Sequence, residues 1–254
     1  MRVGFAGTGN MAAAMARGWA AGEGGPEAML FCDLEAHRAR ALADEVGGQA
    51  RSGLRELADD SDVLVLAVKP AALDEVAAEL GGKAPPLITV LAATPTKRVS
   101  EAFPGVPALR VMPNQPVEVR RGVLCYVTPE GMPGELKEGL LSLLGVLGTL
   151  VPLEERQMDA AMAIMSSSPA YIALVAEALA RGGEREGLEA GLAGELVAGA
   201  LAGTAELLLK RDPATIRNAV ASPGGATEAG LAHLEGVVED AFANAINASL
   251  ERVR

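Results

Sequence analysis

Cysteine and aromatic residues are scarce in this chain. Cys32 and Cys125 are its only cysteines in 254 residues, and neither has the spacing of a disulfide framework or a metal site. We therefore expect a reducing compartment and no metal centre. Phe, Tyr and Trp make up 3% of the residues, although half of the chain is hydrophobic. The core must then be built from Ala, Val and Leu, which favours tightly packed helices and buried parallel strands.

Positive charge is scarce as well. The 22 Lys and Arg residues against 33 Asp and Glu residues leave a formal net charge of -11, which argues against a nucleic-acid partner and against an anionic membrane surface. The sequence runs from Met1 straight into the apolar "VGFAG" without the regions of a signal peptide, and its longest apolar stretches are interrupted too early to span a bilayer. These features predict a cytoplasmic protein that does not bind membranes.

The secondary-structure pattern divides the chain into two parts. Up to about Pro152, short β-type runs such as "RVGFAG" and "DVLVLAV" alternate with helical runs, and beyond it every run is helical in period or composition. Such alternation is typical of a parallel sheet with crossover helices. We predict an α/β fold with a Rossmann-type, mostly parallel sheet over residues 1–153, followed by an all-α domain over residues 154–254.

Two helices predicted in the second part, over residues 188–211 and 237–254, are rich in Ala, Gly and Leu on more than one face. Helices of this kind are normally buried, and a domain of about one hundred residues has too little interior to bury both. The pattern therefore predicts a partner subunit, at least a homodimer. A loosely packed monomeric bundle is the alternative.

A glycine-rich turn follows the first predicted strand. In "VGFAGTGNMAAAM", Gly7 allows a tight turn, Gly9 lets the backbone approach a pyrophosphate, and Ala12 allows close packing of helix on strand. The helix N-terminus adds amides and a partial positive charge for the phosphates. This context predicts dinucleotide binding, and a tight turn without a ligand is the alternative. The expected contacts are Gly7, Thr8, Gly9, Asn10, Met11 and Ala12.

The end of the second strand usually decides between the two nicotinamide dinucleotides. Asp33 lies there, where a carboxylate would bind the ribose hydroxyl of NAD(H). His37, Arg38 and Arg40 follow within two turns and could instead bind the 2′-phosphate of NADP(H), or form a solvated helix face. The choice between NAD(H) and NADP(H) stays open, with a lean towards NADH.

The third strand candidate ends in "LAVKP", where Pro70 stops the strand at the expected carboxyl edge of the sheet. Ligands bind at that edge in open α/β sheets. We therefore expect Ala67, Val68, Lys69 and Pro70 beside the cofactor, although a lysine at a strand end is often only solvated.

A second glycine-rich start signal lies in "SPGGATEAGL", residues 222–231. Ser222 can cap a helix and Pro223 fits its first position. Gly224 and Gly225 then weaken the first turn by roughly 1 kcal/mol each relative to alanine. A helix that only has to fold does not usually carry that cost, so the glycines suggest that a ligand comes close.

Five motifs in this order and spacing resemble the pyrroline-5-carboxylate reductases. They are "VGFAGTGNMAAAM", "LAVKP", "RVMPNQP" (residues 110–116), "SPAY" (168–171) and "SPGGATEAGL". The resemblance implies reduction of the cyclic imine pyrroline-5-carboxylate to L-proline with NADPH or NADH. It also implies a Rossmann domain, an all-helical dimerisation domain that interlocks with that of a second subunit, and dimers that often assemble into rings. Each cleft would combine one subunit's Rossmann domain with helices of its neighbour.

The resemblance also implies roles for individual residues. The substrate carboxylate would lie near the free amides of Gly225, Ala226 and Thr227, with Gly224 beside them, and the Thr227 hydroxyl would hydrogen-bond the ring nitrogen. A hydroxyl is a poor acid at neutral pH, so Thr227 would orient more than titrate. A helix cap without a ligand is the alternative. Further implied contacts are Ser222 with Thr227 in catalysis, Ser167 at the substrate, Met112, Pro113 and Asn114 in a loop against the cofactor ring, and Ala93 at the cofactor.

The chain departs from the family pattern near the expected site. The family commonly has "SGSGPAY" where this chain has "MSSSPAY", residues 165–171. Gly199 and Ala200 replace a Gln-Thr pair, Gln115 replaces a threonine, and Leu54 stands in place of an asparagine. Two other functions therefore stay open: a related reductase of another cyclic imine or small oxo acid, and a non-catalytic dinucleotide-binding regulator.

Overall fold

The computed structural model of the chain describes residues 1–253. By their contacts the residues form two compact units, Met1–Ser167 and Ser168–Arg252.

Eight strands form one sheet in the first unit. They are β1 (Arg2–Ala6), β2 (Ala28–Cys32), β3 (Gln49–Ala50), β4 (Val63–Leu66), β5 (Leu87–Thr89), β6 (Ala108–Pro113), β7 (Gly122–Val127) and β8 (Gly148–Pro152). Their order across the sheet is β3-β2-β1-β4-β5-β6-β7-β8. All neighbours are parallel except β6 and β7. The chain reverses its direction across the sheet between β1 and β4, and such a switch point opens a ligand crevice outside the carboxyl ends of the strands.

Helices cover both faces of this sheet. They are α1 (Asn10–Ala20), α2 (Ala36–Val46), α3 (Leu54–Asp60), α4 (Leu73–Leu80), α5 (Thr96–Ala102), α6 (Gly134–Gly145) and α7 (Met158–Met165), with 3₁₀ helices at Pro70–Ala72, Gln115–Val119 and Glu155–Gln157. One core lies between the sheet and α1, α2 and α6, and a second core lies between the opposite face and α3, α4 and α5. Both faces are therefore apolar, and β4 ("VLVL") is buried at every residue.

The few aromatic residues are concentrated in the first core. Phe5 stacks on Phe31 with ring centroids 5.1 Å apart, and Phe5 also contacts Trp19. The Trp19 indole donates a hydrogen bond to the Leu143 carbonyl at 3.0 Å, which joins α1 to α6. The predicted Rossmann-type, mostly parallel sheet is confirmed.

The described residues of the second unit form helices joined by short turns, with no strand among them. Its helices are α8 (Ser168–Arg185), α9 (Ala190–Leu208), α10 (Pro213–Val220), α11 (Ala226–Leu231) and α12 (Val237–Val253). Helices α8 and α9 pack against each other. Among the described hydrophobic side chains of this unit, Ala193 alone is buried, whereas many leucines are exposed. The unit therefore has almost no core of its own.

Two stretches are long and apolar enough to cross a membrane by length and composition, Glu155–Arg185 and Ala190–Leu208. The expectation that every apolar stretch is interrupted too early was therefore wrong. In α9 the charged residues are Glu195 and Glu206 alone, too few to interrupt the run of Ala, Gly and Leu. Such helices are weak indicators of a membrane span, because buried and interface helices share this composition.

The last strand ends at Pro152, close to the predicted boundary at Leu153. The compact first unit nevertheless extends to Ser167, because α7 packs on the sheet: Met158 and Met162 are buried together with Met112 and Cys125. A functional boundary between residues 153 and 154 stays a prediction.

Candidate functional site

The carboxyl edge of the sheet brings together most of the predicted cofactor residues. The glycine turn follows β1, Asp33 follows β2, residues 67–70 follow β4, Ala93 follows β5, and Met112 and Pro113 end β6. Because the carboxyl ends of parallel strands meet at one edge, these segments lie side by side around the switch point.

Gly7 and Gly9 shape the turn in different ways. Gly7 has φ +94°, and a Cβ there would lie 2.7 Å from the Ala67 carbonyl oxygen, so only glycine fits. Gly9 is the N-cap of α1 with an ordinary φ of −69°. A Cβ on Gly9 would meet no protein atom within 4 Å. Space is therefore left open at the N-terminus of α1, where a pyrophosphate would bind.

The first turn of α1 suits an anion. It contains no acidic residue, and no side chain caps it, so its first amides have no partner within the helix. Ala12 is fully buried on the same helix, which lets α1 lie close to the sheet. The residues present at this turn fit the phosphates of a nicotinamide dinucleotide.

Thr8 and Asp33 connect the glycine turn to the end of β2. The Thr8 backbone N–H and its hydroxyl both donate to Asp33 Oδ2 at 2.8 Å, and the Glu35 N–H donates to Oδ1 at 3.0 Å. Burial alone would raise the pKa of Asp33, but these hydrogen bonds and the Arg38 charge outweigh it and hold the pKa below its ordinary value. The carboxylate is therefore ionised at neutral pH, and it fixes the turn.

A cavity of about 420 Å³ opens beside the glycine turn. Its lining residues are Thr8, Gly9, Asn10, Ala13, Arg17, Arg38, Ala41, Leu42, Glu45 and Gln115. Arg17 was not predicted to be part of this site. It donates to Glu45 at 2.6 Å and to Glu118 at 3.3 Å. Arg17 lies two turns after Gly9 within α1, and this helical spacing could have predicted that it lines the cavity.

The other predicted cofactor segments are placed as expected in the chain. Ala67 and Val68 are half-buried and Lys69 and Pro70 are exposed, with Pro70 opening a 3₁₀ helix. Ala93 is exposed and has φ +52°, an uncommon conformation for a residue other than glycine. Such strain often marks a functional loop.

The loop expected at Met112, Pro113 and Asn114 was wrong in part. Met112 and Pro113 are buried residues of β6, because β7 pairs with this strand up to Pro113. Asn114 is 7% exposed, and both ends of its amide are in use. Its Oδ1 accepts from the Val123 N–H at 2.8 Å, and its Nδ2 donates to the Met165 carbonyl at 3.1 Å. Asn114 therefore fixes the C-terminal end of α7.

The other end of α7 is fixed by a cluster that sequence reasoning missed. The buried Arg110 guanidinium on β6 donates to Glu155, which also accepts from the Thr96 N–H and hydroxyl. Burial alone would raise the pKa of Glu155, but the Thr96 hydroxyl and the Arg110 charge hold it below its ordinary value. Ser167, predicted at the substrate, lies two residues after the end of α7 and is half-buried. The cluster and Asn114 together fix the helix that precedes Ser167.

In the second unit, the helix at the "SPGGAT" motif starts later than expected. Ser222 does not cap it: the N-cap is Gly225, and no side chain caps α11. The Gly225 N–H donates to the Ser222 carbonyl at 2.9 Å, and Gly224 has φ +73°. Proline followed by a left-handed glycine is typical of a type II turn, so residues 222–225 form a turn before the helix. Pro223 is accordingly not the first helical residue.

Both glycines of this turn have a local structural reason. Gly224 has a left-handed backbone, and a Cβ on Gly225 would lie 2.7 Å from Ser222 Oγ. The amides of both are occupied, since the Gly224 N–H donates to Glu228 Oε2 at 2.7 Å. Two of the amides expected to bind the substrate carboxylate therefore stay available at the helix start, those of Ala226 and Thr227. Glu228 was missed, although an acidic residue three positions after the N-cap is a known start signal.

Comparisons with known proteins agree with this arrangement. Residues 155–254 match the family model described as pyrroline-5-carboxylate reductase dimerisation, and residues 2–93 match the model described as NADP oxidoreductase coenzyme F420-dependent. The pyrroline-5-carboxylate reductase of Synechocystis sp. is 37% identical over 203 residues, which cover 78% of this chain and 76% of that protein. Pyrroline-5-carboxylate reductase 2 of Bos taurus is 34% identical over 277 residues, covering 100% of this chain and 83% of that protein.

Solved structures give the same result. A Plasmodium falciparum pyrroline carboxylate reductase with NADP bound superposes with a TM-score of 0.89 at 26% identity, covering 100% of this chain and 97% of that chain. The 1-pyrroline-5-carboxylate reductase of Streptococcus pyogenes has a TM-score of 0.90 at 26% identity, covering 100% and 98% of the two chains.

Proposed function

This chain belongs to the pyrroline-5-carboxylate reductase family and reduces pyrroline-5-carboxylate to L-proline with NAD(P)H; from that premise we propose which of its residues hold each reactant. The first unit holds the dinucleotide at the glycine turn after β1. The second unit holds the substrate at the start of α11.

The cofactor assignment rests on the open space beside Gly9. The position that a Cβ of Gly9 would take is open space at the N-terminus of α1, although the neighbouring Gly7 is packed tightly against Ala67. A turn that only had to reverse the chain would not need glycine at residue 9, since its φ suits any residue. The open space and the free amides of the helix support a pyrophosphate there. When bound, the reduced dinucleotide supplies the hydride.

On the substrate side, we assign the carboxylate to the free amides of Ala226 and Thr227. Gly224 and Gly225 give the turn its shape, and Ser222 accepts the bond that closes it. Ser222 is therefore a positioning residue here, and its hydroxyl is exposed beside the turn. By resemblance to the family, Ser167 is a further contact of the substrate.

The reaction needs a donor at the imine nitrogen. When hydride adds to the imine carbon, the π electrons move to nitrogen, which takes up a proton. The Thr227 hydroxyl is exposed in the first turn of α11, where it can donate a hydrogen bond to that nitrogen. We assign it the role of orienting the ring and stabilising the nitrogen as charge develops.

We also propose that the chain is a homodimer in the cytoplasm. The second unit exposes a groove of about 400 Å³ lined by Leu179, Leu196, Val197, Ala200, Leu201 and Thr204. A contiguous apolar surface of this kind usually marks an interface, and the matching family model is one of dimerisation. The dimer is the minimum assembly, and a ring of dimers would sediment as a multiple of it. Both cysteines are buried and free, which suits a reducing compartment.

Replacing Thr227 with alanine tests the substrate assignment. Losing one neutral hydrogen bond is worth about 0.5–1.5 kcal/mol, a roughly two- to twelve-fold loss of turnover, and more if the bond strengthens in the transition state. Dinucleotide affinity should stay unchanged, because the glycine turn is in the other unit. Steady-state rates with pyrroline-5-carboxylate and titration of NAD(P)H measure the two effects separately.

Thr215→Ala is a suitable control, because Thr215 also follows a helix N-cap but bonds Asp212. It should lower stability rather than turnover. If folded Thr227→Ala turns over pyrroline-5-carboxylate like the parent, the start of α11 is structural and the substrate assignment is wrong.

A further inference from the structure

The loop between β5 and α5, residues 90–95, lies at the carboxyl edge of the sheet. In the strand order it stands on the opposite side of the glycine turn from β2. A dinucleotide at the switch point extends to both sides of the turn, with its adenosine half towards β2 and its nicotinamide half towards β5. The tip of the loop is exposed at Ala92 and Ala93, between the buried Leu91 and Thr94. The β5–α5 loop therefore belongs to the nicotinamide side of the site.

Ala93 gives this loop an uncommon conformation. Its φ of +52° lies in the left-handed region, and such a backbone persists only where the surrounding structure imposes it. Before the tip, the Val90 N–H donates to a carbonyl of β4 at 3.1 Å, and within the tip the Thr94 hydroxyl donates to the Ala92 carbonyl at 3.0 Å. After the tip, the chain enters α5 at Thr96. The position of the tip therefore depends on what holds Thr96.

Glu155 holds Thr96 from 59 residues away in the sequence. Its carboxylate oxygens accept from the Thr96 N–H at 3.2 Å and from the Thr96 hydroxyl at 2.7 Å. That N–H has no partner within the first turn of α5, whose N-cap, Pro95, gives no side-chain hydrogen bond. Glu155 is fixed in turn, because it opens a 3₁₀ helix with a capping box formed by Glu154 and Gln157. The carboxylate is therefore a remote cap that fixes the end of the loop.

The buried Arg110 completes the cluster beneath the loop. Side chains alternate along a strand, so Arg110 lies on the same face of β6 as Ala108 and Met112, which pack in the cores under α5 and α7. Its guanidinium donates to Glu155, and its Nε is buried without a hydrogen-bond partner among the described residues. An unmet buried donor is destabilising, and apolar side chains often replace a buried ion pair without loss of stability. The position that Arg110 gives to Glu155 explains the pair better than stability does.

We propose that Glu155 is a positioning residue for hydride transfer: through Thr96 it fixes the β5–α5 loop against the nicotinamide half of the dinucleotide. Hydride transfer needs its donor and acceptor carbons close together and aligned, and a small displacement lowers the rate strongly. The dinucleotide is held mainly at the glycine turn, so a displaced loop should slow the transfer more than it weakens binding. The inference rests on the proposed function, because the glycine turn decides where the nicotinamide half lies.

Thr96→Val tests this link and leaves the buried ion pair in place. It removes the hydroxyl and keeps the size of the side chain and the backbone N–H. We expect the rate of hydride transfer to pyrroline-5-carboxylate in single turnovers to fall roughly three- to tenfold. The dissociation constant of the dinucleotide, titrated without substrate, should change by less than about twofold. In the free protein, hydrogen–deuterium exchange over residues 90–96 should become faster.

Two further variants of α5 are the controls. Thr96→Ser keeps the hydroxyl and should restore the parental rate. Ser100→Ala removes a hydroxyl that donates within the same helix, to the Thr96 carbonyl at 3.1 Å, and should leave rate, affinity and exchange unchanged. Glu155→Gln should lower the rate by about tenfold or more, since it weakens the bonds to Thr96 and to Arg110 together. Thr96→Val carries the test if circular dichroism shows that Glu155→Gln does not fold.

The outcomes separate this inference from the proposed function. A parental rate or parental exchange in folded Thr96→Val shows that the cluster only stabilises the fold, and it overturns the positioning role while the cofactor site stands. An equal loss of rate in Thr96→Val and Ser100→Ala does the same. Failure of the parent itself to reduce pyrroline-5-carboxylate overturns the proposed function and the inference together.

Discussion

Gly7 and Gly9 stand two residues apart and are glycine for different reasons. Gly7 has a left-handed backbone, and a Cβ there would clash with the Ala67 carbonyl, so the protein itself requires glycine at this position. Neither constraint applies to Gly9, so we attribute the glycine at this position to the close approach of a ligand. Gly7 is therefore needed for the fold, and Gly9 is needed for binding.

The contrast predicts opposite phenotypes for the two substitutions. Gly9→Val should still fold, because its side chain enters open space and the poorer N-cap costs only about 1 kcal/mol, and it should abolish dinucleotide binding. Gly7→Ala should instead lower the free energy of unfolding by about 1–3 kcal/mol through backbone strain. Urea unfolding and titration calorimetry with NADH measure both properties. Normal dinucleotide binding by Gly9→Val would place the cofactor elsewhere.

At single residues, the sequence was sufficient to predict local turn geometry but not long-range hydrogen bonds. The Gly-x-Gly-x-x-Ala spacing was sufficient to place the glycine turn, because turn geometry is local. The partners of Asp33 and Asn114 could not be predicted in the same way. Their hydrogen bonds join residues distant in sequence, 25 apart for Thr8 and Asp33 and 51 apart for Asn114 and Met165. No local pattern encodes such pairs.

At the scale of elements, α7 is held by polar contacts at both of its ends. The Arg110–Glu155–Thr96 cluster fixes its start, Asn114 fixes its end, and two of its methionines are buried against the sheet. Because Arg110 is buried, removal of its carboxylate partner leaves a charge without compensation.

Glu155→Gln should therefore lower stability at neutral pH by about 1–3 kcal/mol, less than for a fully buried pair because Glu155 is 39% exposed. The pKa of Glu155 is lowered in the folded state, so its contribution is fully present above the unfolded value of about 4.3 and is lost as pH falls through the folded value. The gap between parent and variant should narrow from pH 7 towards pH 3.

Urea midpoints at several pH values measure that gap, and Glu177→Gln is the control, since Glu177 pairs with the exposed Arg181 in the second unit. An equal gap at pH 7 and pH 3 would show that the Glu155 charge contributes nothing to the position of α7.

Elements were predicted best where the pattern was long. The strands of the parallel core and helix α1 could be predicted because their apolar runs and helical period extend over several residues. Strand β3 has two residues, too few for any period, and it pairs only at the edge of the sheet. At the "SPGGAT" motif, the sequence contained two start signals, and the type II turn placed the helix start at the later one.

For the whole molecule, the second unit is the part that cannot be explained by one chain. Its described hydrophobic side chains are mostly exposed or half-buried, with Leu196 at 55% and Ile172 at 52% exposure. The sequence predicted this exposed apolar surface, because its helices have apolar residues on more than one face. It did not reveal which residues line the groove, because that depends on how α8 and α9 pack.

Leu196→Glu should therefore break or weaken the dimer, because it places a charge in the apolar groove. Sedimentation velocity at micromolar concentration should show a dimer for the parent and a lighter species for the variant. Leu34→Glu is the control: Leu34 is fully exposed in the first unit, and its replacement should leave the mass unchanged. A parent that sediments as a stable, active monomer would contradict the proposed assembly.

In the proposed reaction, this chain moves a hydride from a nicotinamide dinucleotide to the imine carbon of pyrroline-5-carboxylate. Reduced dinucleotide carrying deuterium at the transferable ring position tests it directly, with the product analysed by mass spectrometry. We predict L-proline that carries one deuterium on the former imine carbon, and no labelled proline from Gly9→Val. Unlabelled proline, or consumption of the dinucleotide without any proline, would contradict the account.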